Sequence, residues 1–144
     1  MKPFLDAGLL AILLLKAPGR RKAWELVQRF EAPYYLTHLH VLLIEHMFLH
    51  AKGEKERQAA LIAEADWTRH WDEGVFQLEL VDALAVSNLA LDLNRRSSLH
   101  SAKPLHYLLV ASAAASQSTH FLAFDPRTRY LAKLTGLKVL PQAL

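Results

Sequence analysis

The 144-residue chain carries 17 lysines and arginines, 14 aspartates and glutamates, 52% apolar residues and no cysteine. One domain's length with 22% charged residues excludes a disordered or low-complexity chain, and no repeat divides it. The lack of cysteine excludes a disulfide framework and a thiolate zinc site and fits a reducing, cytoplasmic setting, while a net charge of +3 permits a polyanionic partner without requiring one.

In chain order, Lys2 to Leu5 reads as a buried first strand. The apolar run from Ala7 to Leu15 has the outline of a secretory signal, but it is too short to span a bilayer, Lys16 closes it, and no small-residue cleavage pattern follows. It is therefore expected to be a folded helix, from about Gly8 to Lys16, stopped by Ala17-Pro18-Gly19, and no membrane partner is expected. Ala23, Trp24, Val27 and Phe30 recur at helical spacing, and Pro33 to Leu36 reads as a second strand. Thr37 can cap a third helix that ends near Lys52-Gly53. Glu54 to Glu73 is a charged amphipathic helix with Leu61, Ala65 and either Trp67 or Trp71 on its expected buried side, and Val75 to Val81 is a third strand. Asp82 can cap a helix reaching Arg95 or Arg96. After a loop at Ser97 to Ser101, Pro104 opens a helix through the small residues Ala111 to Ala115. Thr119 to Phe124 is a fourth strand, Pro126 starts a last helix ending at Gly136, and Leu137 to Leu140 is a fifth strand.

Strands alternating with helices over short connections predict a single α/β domain, residues 1–144, layered as an α/β/α sandwich around a mostly parallel five-stranded sheet. In such sheets the working crevice lies beyond the carboxyl ends of the strands. Asp6 directly follows the first strand and Asp125 the fourth, in FLAFDPR. Glu45 sits among Val41, Leu42, Leu43 and Ile44, where an ionised acid must find a cation or neutralise itself. If the three converge, their repulsion makes an anionic pocket suited to Mg²⁺ or Mn²⁺, ions that can orient a phosphodiester and generate hydroxide from water.

The segment THLHVLLIEHMFLH, residues 37 to 50, holds four histidines. At 100° per residue His46 and His50 share a face, His38 lies near the direction of Glu45, and His40 points elsewhere, so the four do not make one ligand set. The His-Glu-x-x-His spacing of a metalloprotease helix is absent. The histidines are read as boundary residues of a core or dimer helix, with His38 the candidate for lining the pocket beside Glu45. Arg127 and Arg129, in the first turn after Asp125, are candidates for contacting an RNA backbone.

FLD near the start, an acid within IEHMFLH and the closing block FLAFDPRTRYLAKLTGLKVLP resemble the PIN domain family, and in particular the VapC-type toxins of bacterial toxin–antitoxin pairs. The resemblance covers nearly the whole chain. It implies a parallel sheet in the order 3-2-1-4-5, a Mg²⁺- or Mn²⁺-dependent endoribonuclease, frequent homodimers and, for toxins, a cognate antitoxin. Asp6, Glu45 and Asp125 take the metal-binding and catalytic acidic positions.

Two positions depart from that pattern. Family members usually carry another Asp at the start of the helix before strand four, where this chain reads KPLHYLLVASA with Lys103 in the acidic place. No acid occurs between Arg95 and Phe124 to substitute. Gly8 stands where Asn, Ser or Thr is common. Exchanging an attraction for a repulsion at about 4 Å, on the order of 4 kcal/mol each at an effective dielectric of 20, should weaken metal binding sharply. Lys103 is expected either to act as a counter-ion among Asp6, Glu45 and Asp125 or to contact RNA phosphate beside a weakened metal site. The function expected is therefore a metal-dependent endoribonuclease of impaired activity. The alternative is an inactive module of the same fold that binds RNA, an antitoxin or its own dimer partner.

Overall fold

The structure, a computed structural model, describes residues 1–144. Its elements run β1 (Pro3–Leu5), α1 (Ala7–Leu15), α2 (Arg20–Val27), β2 (Tyr34–Leu36), α3 (His38–Leu49), α4 (Glu54–Asp72), β3 (Phe76–Leu78), α5 (Ala83–Arg96), α6 (Pro104–Ala115), β4 (His120–Leu122), α7 (Pro126–Leu134) and β5 (Lys138–Leu140). The chain is α/β, and the strands are shorter than the sequence suggests.

All strand pairing is parallel. β1, β4 and β5 form one sheet, with Leu5 opposite Leu122 and Leu122 opposite Leu140; β2 and β3 form a second, with Leu36 opposite Leu78. The expected single sheet of five strands is not found, because no ladder joins β1 to β2. Strands of three residues offer few ladder bonds, and the Leu5 carbonyl that ends β1 accepts a side-chain donor, His40 Nε2–H at 2.6 Å.

Alternation along the central strands separates two cores. Leu5, Leu122 and Leu140 face Leu9, Leu10, Leu14, Leu26 and Trp67, which come from α1, α2 and α4. Phe4, Phe121 and Val139 face Tyr107, Val110, Leu131 and Ala132, from α6 and α7. Helix α3 contributes Ile44 to the first core and rests Leu39 and Leu43 against the second. No helix is long and apolar enough to cross a membrane.

Two helix faces differ from the sequence reading. On α4 Trp67 is buried as expected, but it is joined by Ala60 and Ala63, while Leu61 is 67% exposed and Ala65 is exposed too. On α2 Trp24 is exposed, and Ala23, Leu26 and Val27 are buried. In both, alanines sit at the buried contact, Ala60 and Ala63 on α4 and Ala23 on α2, and a larger adjacent residue is turned outward.

Candidate functional site

Beyond the carboxyl ends of β1 and β4 lies a cavity of about 330 Å³ whose wall includes Asp6, Leu43, Leu105, His106, Asp125 and Thr128. β1 delivers Asp6 directly after Leu5. β4 is followed by two more residues before Asp125, which caps α7. Adjacent parallel strands thus bring together two acids that are far apart in sequence.

The two carboxylates differ in surroundings. Asp6 is buried and does not cap α1 with its side chain. Its Oδ2 accepts the Thr128 hydroxyl at 3.3 Å, while Oδ1 is buried with no partner. Burial, then repulsion from Asp125, pushes its pKa up to about 7, against the opposing hydrogen bond from Thr128. Asp125 is held as an anion. Its Oδ1 accepts the Arg127 amide at 2.8 Å and Arg127 Nε at 3.0 Å, and its Oδ2 accepts Arg127 Nη2 at 2.8 Å. These bonds from Arg127 outweigh partial burial and lower its pKa.

His106 faces the same carboxylate. Its Nδ1 accepts the backbone N–H of Lys103 at 2.8 Å, which leaves the proton on Nε2, 3.9 Å from Asp125 Oδ2. That separation is an ion-pair distance when the ring is protonated and too long for a hydrogen bond. Burial and then the Arg127 charge lower the His106 pKa, with Asp125 acting in the opposite direction.

The third expected acid is elsewhere. Glu45 is exposed, and the α3 residue in the cavity wall is Leu43, two positions earlier and about 200° around the helix. His38 does share the direction of Glu45, but that direction is solvent. The buried histidine is His40, whose Nδ1 accepts the Thr37 N–H at 3.0 Å and whose Nε2–H donates to the Leu5 carbonyl at 2.6 Å. Burial lowers its pKa to about 4, so it is a neutral strut behind Asp6.

Lys103 is the N-cap of α6 and is exposed, outside the cavity wall. It is not the counter-ion of the pocket; Arg127 is, through its fork on Asp125. Arg129 is also not free to contact RNA. It is buried and donates to the carbonyls of Ala123 at 2.8 Å and Pro141 at 2.7 Å, tying the ends of β4 and β5.

For a divalent cation the fit is poor. Two carboxylates remain, one of them already occupied by a guanidinium, and Leu43 and Leu105 fill the wall where further oxygen ligands are needed. No three His, Asp or Glu side chains form a group able to hold a metal ion. His106 and Thr128 were not among the residues expected at the site. Each has a sequence signal: His106 stands three residues after an N-cap, as His40 does, and Thr128 is one turn after Asp125.

No family model matches the chain, and no curated protein matches it in sequence.

Proposed function

We propose that the chain is a PIN-like module, with strands in the order 3-2-1-4-5, that binds RNA without cutting it. The observation that carries this reading is the Arg127 fork on Asp125 together with Leu43, in place of an acid, at the α3 side of the cavity. A nuclease pocket rich in carboxylates repels phosphate until metal enters. Here Asp6 is about half protonated near neutrality, Asp125 is neutralised, and exposed Lys103 adds a positive charge at the adjacent helix start. The local charge is therefore close to zero or positive, which allows a phosphate backbone to approach the rim directly.

RNA association in a chelating buffer tests it. Single-stranded RNA should bind with a salt-dependent affinity, remain uncut when Mn²⁺ is supplied, and bind more weakly to Lys103→Asp. Metal-dependent cleavage that disappears in Asp6→Asn would overturn the proposal.

A second reading is favoured by the buried, partnerless Asp6 Oδ1, an oxygen that a cation would satisfy. On that reading the protein is a weakened Mg²⁺- or Mn²⁺-dependent endoribonuclease, the metal resting on Asp6 and Asp125 once Arg127 is displaced. The bound ion would supply an activated water and polarise the phosphodiester. A cytoplasmic setting, a cognate antitoxin and a homodimer belong to both readings.

A further inference from the structure

Outside the cavity, α3 leaves an exposed stripe formed by His38, Leu42, Glu45, His46, Leu49 and His50. Leu42 is 63% and Leu49 81% exposed, unusual for leucines on a helix whose opposite side is well packed. On this stripe the rings of His46 and His50 lie 4.1 Å apart, centroid to centroid, with their planes 33° from one another. Residues four apart sit one above the other on a helix, so two imidazoles in this register can turn their nitrogens toward a single ion.

Imidazole is a ligand for Zn²⁺, Cu²⁺ and Ni²⁺ and a poor one for Mg²⁺. Zinc takes four ligands in a tetrahedron, and one chain supplies two here, with no third His, Asp or Glu grouped with them. The geometry points to a zinc site shared by two copies of this chain, His46 and His50 of each completing the tetrahedron across a two-fold axis. The flanking Leu42 and Leu49 would close against their counterparts around the metal. Two leucines per chain are too little apolar area to hold a stable dimer alone, since standard interfaces bury on the order of 1,600 Å². Association is therefore metal-dependent. The site is separate from the Asp6 and Asp125 cavity, which offers oxygen ligands and whose lining on α3 is Leu43 and neither histidine.

The test measures molar mass by light scattering and zinc stoichiometry by calorimetry on the full chain. The chain should be monomeric in a chelator, double its mass on adding Zn²⁺, and bind one zinc per two chains. Both responses should vanish in His46→Gln and in His50→Gln and persist in Asp6→Asn and Asp125→Asn. Leu49→Glu should weaken dimerisation while Zn²⁺ still binds. Because positions 46, 49 and 50 are exposed, these variants should keep the parent's circular dichroism. Replacing Zn²⁺ by Co²⁺ should give the visible absorption of a tetrahedral ion. Undiminished zinc binding in both histidine variants would overturn the proposal, as would one zinc per chain at unchanged mass, a dimer that persists in chelator, or no zinc binding at all.

Discussion

Helices α3 and α6 begin in the same way and finish with different jobs. Each places a histidine three residues after its N-cap, and in each the ring Nδ1 accepts the N-cap amide: Thr37 to His40 at 3.0 Å and Lys103 to His106 at 2.8 Å. Both caps consequently fix the proton on Nε2. What differs is the target of that proton. His40 sends it into a fully buried bond with the Leu5 carbonyl, one residue before Asp6, whereas His106 points it across a cavity toward the charged Asp125. One local sequence device therefore becomes a structural strut or a site residue according to what the opposite strand presents.

The largest expected effect breaks this comparison directly. His40→Ala orphans the Leu5 carbonyl and the Thr37 amide in a dry interior and leaves a void, so it should cost about 4 kcal/mol. His106→Ala removes one cap bond at a partly open wall and should cost about 1 kcal/mol. Urea denaturation of both variants measures the gap. Equal losses would mean that the two caps are energetically the same.

The second effect separates the acid from its strut by pH. Asp6 has a folded pKa of about 7 against an ordinary 3.8, so the native state holds its proton more tightly. Its contribution to stability is complete below pH 3.8 and is lost as pH rises through 7. His40 has the opposite sign. With a folded pKa of about 4 against 6.5, its contribution is complete above pH 6.5 and is lost as pH falls toward 4. At 1.36 kcal/mol per unit, Asp6→Asn should be more stable than the parent by roughly 4 kcal/mol at pH 8 and nearly equal to it at pH 3.5. Within that variant the acid-side loss of roughly 3 kcal/mol from His40 should stand unopposed. Denaturation at pH 8, 6 and 4 reads both; a pH-independent difference between variant and parent would show that Asp6 titrates normally.

The order and type of all twelve elements were readable from turn residues, caps and periodicity, and the strand-end positions of Asp6 and Asp125 followed from that order alone. The orientation of α3 was not readable. Its apolar residues run around the whole helix, so the pattern contains no stripe to say which side faces inward. The resemblance then favoured Glu45 as the inward residue, while packing selects Ile44 and His40 for burial and Leu43 for the cavity. The Arg127 fork was hidden for a different reason. A basic residue two positions after an acid can solvate freely or fold back, and the cap geometry at Asp125 decides between them.

A smaller change sharpens the site half of the comparison. Arg127→Ala removes the guanidinium that helps hold Asp125 ionised and helps keep His106 neutral. The pKa of each should move up, Asp125 through loss of its hydrogen bonds and His106 through loss of a neighbouring positive charge, with the His40 pKa unchanged. Proton NMR titration of the two imidazoles follows this in one sample. If His40 and His106 move together, the two rings are not electrically separate.

The smallest expected effect concerns Gly8, which lies beside the Asp6 carboxylate. A Cβ built there would stand 3.6 Å from Asp6 Oδ2, in ordinary contact and without a clash. A serine hydroxyl one bond further out could therefore donate to the carboxylate that now has only Thr128 as a side-chain donor. Gly8→Ser should stabilise the helix by about 0.5 kcal/mol through backbone propensity and should also lower the Asp6 pKa. Gly8→Ala separates the two effects, because alanine supplies propensity without a donor and should gain about 1 kcal/mol while leaving the Asp6 pKa at or above its present position. Carbon-13 titration of the Asp6 carboxyl distinguishes them. A fall in both variants would assign the raised pKa to helix geometry, whereas a fall in serine alone assigns it to a carboxylate short of donors.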